Sequence, residues 1–390
     1  MPPNFSDATG VLFEGESEGV EHTSTKGVGN HCSADDRKLQ LVWRNVILFA
    51  YLHVAALYGA FLFLTSAKFF FFPAIILYVC SGLGITAGAH RLWAHKSYKA
   101  RLPLRILLAV FNTIAFQDSV IDWARDHRMH HKYSETDADP HNATRGFFFS
   151  HVGWLLVKKH PEIKAKGHTV DFSDLHADPV LAFQKKYYLI LMPICCFLLP
   201  TIIPVYFWGE TYSNAWFVAT LFRYTYVLNV TWLVNSAAHK FGSKPYDQHI
   251  SPVENISVAA VVLGEGFHNY HHTFPWDYKT AELGGYSTNI TKGFIDLMST
   301  IGWAYDLKTA SVDIIEKRVK RTGDGTHNLW GWGDKDQPQE ELDLNLILHQ
   351  YLLVNFGHQM TKKQLATHGE QHNFTVIIIH SKIKGNKIHN

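Results

Sequence analysis

Nine histidines in this sequence are grouped as metal ligands would be. They form three clusters, His90-Arg-Leu-Trp-Ala-His95, His127-Arg-Met-His130-His131 and His268-Asn-Tyr-His271-His272, and His239 closes the run Asn235-Ser-Ala-Ala-His239. The chain carries 25 histidines in 390 residues. At that frequency an HxxHH string is expected ~0.1 times by chance, yet two are present. Imidazole is the commonest protein metal ligand. Residues three apart project from one helix face, so the two ends of an HxxH can converge on an ion. The adjacent third histidine, about 100° round, can then address a second ion nearby. An α-helical HxxxxH does not share a face, so His90 and His95 are expected to straddle a helix end.

Nine ligands exceed the needs of one zinc site, which takes four donors when structural and three plus water when catalytic. Shared over two ions, they give four or five donors each and leave room for water or dioxygen. Imidazole suits iron, copper, nickel and zinc alike, so ligand type leaves the metal open.

The elements that must position these clusters are apolar and long. Leu41 to Leu64 forms a mostly apolar run, and Phe69 to Ala89 follows after a short gap holding Lys68. Two more runs, 187–208 and 215–238, are parted by a few polar residues. Each reaches the ~20 residues that cross a bilayer, and the tight links predict two transmembrane hairpins. Pro193, Pro200 and Pro204 predict a third span that is kinked or shorter than the run, because membrane helices tolerate proline where neighbours satisfy the freed carbonyls. The fold expected is therefore an all-α integral membrane protein of four transmembrane helices, capped by a cytosolic helical layer that carries the histidines.

Two hairpins place the termini and the segment 90–186 on one side of the membrane. That segment holds about fifteen Lys and Arg, the links almost none, so the positive-inside rule makes this side cytosolic. Six N-x-S/T sequons, at Asn4, Asn142, Asn229, Asn255, Asn289 and Asn373, are then expected to stay unglycosylated. The segment from Leu102 to Phe116 is apolar but short and suits a helix at the membrane interface. Residues 1–38 read as a disordered cytosolic tail, residues 39–335 as the membrane domain, and residues 336–390 as a C-terminal tail without legible chemistry.

Composition excludes several classes. A formal charge of +2 argues against a nucleic-acid binder. Four cysteines without a CxxC pair argue against a disulfide scaffold and a thiolate zinc site. A pH-sensing histidine patch or a membrane metal carrier explains the histidines alone. Neither explains the strings that surround them.

Those strings are Gly84 to His95 (GITAGAHRLWAH), Trp123 to Asn142 (WARDHRMHHKYSETDADPHN), Gly146 to Leu156 (GFFFSHVGWLL), Asn235 to His239, and Gly264 to Tyr278 (GEGFHNYHHTFPWDY). From Trp43 to Gly333 the sequence resembles the stearoyl-CoA desaturases, and within them the insect acyl-CoA desaturases. Histidine motifs alone also fit membrane lipid hydroxylases; the full strings fit them less well.

The resemblance implies a Δ9 acyl-CoA desaturase of the endoplasmic reticulum membrane, with desaturation at another position such as Δ11 as the alternative. It implies O2-dependent removal of two hydrogens from adjacent methylenes of a fatty acyl-CoA at two Fe2+ ions. The matching ligands are His90, His95, His127, His130, His131, His239, His268, His271 and His272, with Asn235 acting through water. Gln117, Trp123, Thr231 and Trp232 match the bend of an acyl tunnel, and Tyr78 and Gly82 its closed end. Asn45, Arg125, Asp126, Lys158 and Lys159 match positions that hold coenzyme A. Lys158 and Lys159 also read on their own as a phosphate clamp or as ordinary juxtamembrane charge. Asp126 and Glu265 are expected to orient ligand rings, while His53, His141, His151 and His160 read as supporting groups. No HPGG-type haem segment is present, so electrons are expected from a separate cytochrome b5 and its NADH-dependent reductase, with membrane lipid as the surroundings.

Overall fold

A computed structural model describes residues 39–66, 71–282 and 285–330. The expected tails at 1–38 and 336–390, and the link at Lys68, lie outside the described residues. The chain divides into two compact units at Thr326/His327, and everything below concerns the first. Helices dominate it. The strands among the described residues are one antiparallel pair of two residues each, Lys99–Ala100 with Ala304–Tyr305.

Four helices are long and apolar enough to cross a membrane. The first, α1, covers Trp43–Thr65. Ile47, Val54, Leu57, Phe61 and Leu64 on it are exposed, whereas Phe49, Leu52, Ala55 and Gly59 turn inward. An apolar face left uncovered by protein over such a length suits lipid. The inward face meets the fourth span so closely that a Cβ on Gly59 would lie 2.1 Å from the Phe217 carbonyl oxygen. Only glycine allows that approach.

The second span starts as α2, Phe71–Leu83, and continues beyond the expected end at Ala89 as a π-helix, Gly84–Ala94. All eleven residues of that π-helix are buried, so the span ends inside protein and not at lipid. The third runs Pro179–Trp208, starting eight residues before the expected boundary, and the fourth Tyr212–His239. Lys185, Lys186 and Gln184 lie in the added turns of the third span, which carry the helix out of the apolar layer. Pro193 opens a π-helical stretch, Pro193–Leu198, and Pro204 sits inside the following helix. Each proline removes a backbone donor, in keeping with the expected irregularity of this span.

A buried charge ties the bundle together. Arg223, in the fourth span, donates to Ser81 Oγ (3.2 Å), the Ile114 carbonyl (3.1 Å) and the Cys196 carbonyl (3.0 Å). One guanidinium thus links the second span, the segment after it and the third span, its cost offset by complete hydrogen bonding.

The expected interfacial segment forms α3, Leu102–Ala115. Leu104 and Leu108 on it are buried, Leu102, Ile106 and Val110 exposed. Phe116 ends it in a left-handed conformation at φ 48°. Ser119 then caps α4, Val120–Tyr133, by accepting from the Asp122 amide. The two helices meet at 83°. That elbow aims the histidines of α4 at the ends of the second and fourth spans.

Candidate metal centre

His90 lies in the π-helical end of the second span, and the His95 amide donates to its carbonyl at 3.0 Å. A π-turn closes over five residues, not four. It therefore brings positions five apart onto one side, which an α-helix would separate. The HxxxxH spacing is explained by winding rather than by a helix end, although His95 is also the residue that caps the turn.

The nine histidines gather into two sets of converging ring nitrogens. One contains His90, His95, His127, His131 and His271, the other His130, His239, His268 and His272, each within 4.8 Å internally. The pairing inside each HxxHH differs from expectation. His127 and His131 share a set, as do His268 and His272, and the middle histidine of each motif joins the opposite set. The reason is helix geometry: residues four apart are offset by about 40°, residues three apart by about 60°. The two motifs thus exchange their central rings, and neither can complete a set alone.

Carboxylates and a hydroxyl hold the rings from behind. His90 Nδ1 is 2.9 Å from Glu265 Oε2, His130 Nδ1 2.9 Å from Asp139 Oδ1, and His239 Nδ1 2.9 Å from Ser251 Oγ. A carboxylate only accepts, so Nδ1 carries the proton and Nε2 of His90 and His130 presents a lone pair. Glu265 itself is fixed by Arg91 at 2.8 Å. Burial alone would raise its carboxyl, but Arg91 and His90 hold it below the usual range. Glu265 plays the orienting part expected of it. Asp126 does not: its partners are Lys159 (2.8 Å) and Arg125 (3.2 Å). Asp139 takes that part, and nothing marks it in the sequence beyond its place in the TDADPHN string.

The donor set fits metal. His271 Nε2 lies 2.9 Å from His90 Nε2 and 3.0 Å from His131 Nε2, and His268 Nε2 lies 3.1 Å from those of His239 and His272. Lone pairs crowded at such distances repel unless a cation sits among them. Burial and the neighbouring rings push His95, His268, His271 and His272 well below the usual imidazole range. They are neutral near pH 7, the form that binds metal.

Two cavities, each about 620 Å³ including open space, reach the histidines and share Trp123, His127, Thr231 and Asn235 in their walls. The first is lined by Tyr78, Gly82, Ile85, Val227, Val230 and Leu263 as well as His90, His130 and His268. In its wall the Tyr78 hydroxyl donates to the Val261 carbonyl, and Gly82 abuts Leu263, whose Cδ1 would be 2.4 Å from an added Cβ. The second is lined by Gln117, Asp118, Asp126, His141, Trp154 and Trp232. Where the two meet, Gln117 Nε2 donates to Thr231 Oγ1 at 3.0 Å, and Trp123 stacks on His127 at 4.9 Å. The residues expected at a bend and at a closed end are therefore brought together in two cavity walls.

The expected head-group residues are divided. Arg125, Asp126 and Lys159 form one ion-paired cluster beside the second cavity. Lys158 is exposed, with its backbone bonded to the Gln40 carbonyl. Asn45 is fully buried, and its amide donates to the Leu155 carbonyl at 2.7 Å. There it pins the start of α1. Of the remaining histidines, His53 and His151 bracket Asn229 through hydrogen bonds of 3.1 and 3.3 Å. His160 caps the helix Pro161–Gly167, and His141 packs beside His130 at 4.3 Å between ring centroids.

Comparison with known proteins adds independent findings. A fatty acid desaturase family model matches residues 66–280. An acyl-CoA Delta-9 desaturase of Acheta domesticus is 64% identical over 349 residues, 88% of this chain and 97% of the relative. An acyl-CoA Delta(11) desaturase of Spodoptera littoralis is 60% identical over 312 residues, 79% and 90% of the two chains. Human stearoyl-CoA desaturase is 58% identical over 290 residues, 74% and 80% of the two chains.

Proposed function

The chain belongs to the fatty acid desaturase family and is a membrane-bound acyl-CoA desaturase, an oxidoreductase; from that premise we propose that it acts on palmitoyl- or stearoyl-CoA at Δ9, using two iron ions held by the nine histidines. The observation that supports this reading is a pair of cavities that share Trp123, His127, Thr231 and Asn235, one lined also by Tyr78, Gly82, His90, His130 and His268 and the other by Asp126.

Bound there, iron supplies the activation of dioxygen that no side chain provides. The balance is acyl-CoA, O2, two electrons and two protons giving the alkene and two waters. The protein's share is positional. The carboxylates behind His90 and His130 fix the ring tautomers, and Asn235 lies in both cavity walls, placed to hold a water near the metals. The Gln117–Thr231 bond and the indole of Trp123 shape the bend, so one carbon pair of an apolar chain stops beside the histidines. An alkyl chain offers no hydrogen-bond handle. Regiochemistry must therefore follow from the distance between the head-group contacts and the metals.

Arg125, Lys159 and Lys158 supply cations for the coenzyme A phosphates. Electrons come from cytochrome b5 and its NADH-dependent reductase on the cytosolic face of the endoplasmic reticulum, a topology supported by the Lys and Arg excess of the segment 90–186. The 60%-identical Delta(11) relative favours one second reading, the same chemistry at a different carbon. Purified protein tests the proposal. Two irons per chain and alkene formation from stearoyl-CoA under O2 are expected; a hydroxylated product, or a chain that retains no iron, would overturn it.

A further inference from the structure

Four of the five rings in one histidine set come from two elements: His90 and His95 from the π-helix and its cap, His127 and His131 from α4. His90 is held from behind by Glu265. Among the described residues, the His95 ring is hydrogen-bonded by nothing except the facing His127, Nε2 to Nε2 at 2.8 Å. Its aim therefore depends on where the backbone puts it. That backbone turns away at once, with Lys96 in a left-handed conformation at φ 52°.

Arg128, beside His127 on α4, grips this end of the π-helix. Its Nε donates to the Ala94 carbonyl at 3.0 Å and its Nη2 to the Trp93 carbonyl at 2.7 Å. Carbonyls at the end of a helix have no donor inside it. Nη1 and Nη2 each hold one Asp174 oxygen at 2.8 Å, and Nη1 also donates to the Asp171 carbonyl at 2.7 Å. All five N–H groups of the guanidinium are thus used. Asp174 is steadied in turn by Lys96, the residue after His95, at 3.0 Å. A simple ion pair would need the Asp174 contact alone; the two carbonyls next to His95 make Arg128 more than that.

We propose that Arg128 is a positioning residue for the five-histidine set. By clamping the Trp93 and Ala94 carbonyls to α4, it fixes the reach of His95 toward the ion that His127 and His131 also hold. This rests on the metal-binding reading of the histidines. The set containing His130 takes no ring from the π-helix or its cap, so Arg128 governs one ion and not the other.

Full-length protein produced with cobalt(II), dialysed in detergent against a graded chelator and read by visible absorbance, tests this. The wild type should hold two ions. In Arg128→Lys, an ammonium with three donors replaces the five-donor fork. That variant should keep one ion with wild-type affinity and hold the other about 10–100-fold more weakly. The visible bands of the weakened site should match those of His95→Ala. Asp174→Asn, which sets an amide N–H against the guanidinium, should weaken the same ion, and it keeps the test decisive if Arg128→Lys does not fold. Equal weakening of both ions, or wild-type affinity at both in either variant, would make Arg128 a merely structural group and overturn the inference. Failure of the wild type to hold any cobalt would remove the metal reading itself.

Discussion

His271 Nε2 lies 3.0 Å from His131 Nε2, although 140 residues separate them. The first belongs to the second HxxHH motif and the second to the first, and the exchange is mirrored by His130 among His239, His268 and His272. Each metal set therefore draws on helices from both halves of the chain. Metal binding would thus be coupled to correct docking of α4 against the segment 268–273.

The groups behind the rings should matter nearly as much as the rings. Asp139→Asn leaves a side chain of the same size that no longer fixes the His130 proton on Nδ1. Metal retention in the set containing His130 should fall about 10–100-fold, as should Glu265→Gln for the set containing His90. Iron content after dialysis against a graded chelator measures this, and wild-type retention in both variants would contradict the account.

Gly82→Leu should shorten the preferred acyl chain, because even a Cβ there meets Leu263 Cδ1 at 2.4 Å. Crowding of this kind costs about 1–3 kcal/mol where nothing can yield. Adding Leu263→Ala should restore expression and part of the lost length. Product chain lengths from an equal mixture of saturated acyl-CoAs give the answer; unchanged selectivity in the single variant would place the cavity end elsewhere.

Much of this arrangement was legible before any coordinates. Four apolar runs gave the spans, because the bilayer imposes a length that composition displays directly. The histidine clusters were visible as clusters. The distribution of rings between the two sets was not, since it depends on a 20° difference between i+3 and i+4 offsets and on a π-turn at Gly84–Ala94 that α-helical reasoning does not anticipate. Arg223 was hidden inside an apolar run that averaged as a span. Asp139 and Asp126 look alike in sequence, two acids beside histidines, and only packing shows that one faces a ring and the other Lys159.

Acid should destabilise the iron-free protein. His95, His268, His271 and His272 are held neutral when folded, whereas an unfolded histidine titrates near 6.5. The unfolded chain thus binds more protons below that pH. The stability these rings contribute is fully present above about pH 6.5 and is lost as pH falls through it. The thermal midpoint in detergent should hold steady above about pH 6.5 and fall progressively below it; a flat profile would contradict the burial of these rings.

The sequons should remain bare. Asn289 is fully buried and caps the helix Ile290–Thr300, and Asn142 is 4% exposed. Asn229 is bonded to His53 inside the bundle. Glycosidase treatment of protein from a eukaryotic host should leave its mobility unchanged. A mobility shift would place a sequon on the lumenal side and reverse the topology.

The most direct test of the central claim is expression in yeast that lacks its own acyl-CoA desaturase, with mass-spectrometric location of new double bonds. The account predicts growth rescue and a double bond at carbon nine of sixteen- or eighteen-carbon chains. His131→Ala should insert into the membrane normally yet give none, because it removes a ring nitrogen from the five-histidine set. No new alkene from wild-type protein shown to be inserted and iron-loaded, or undiminished activity in His131→Ala, would contradict it.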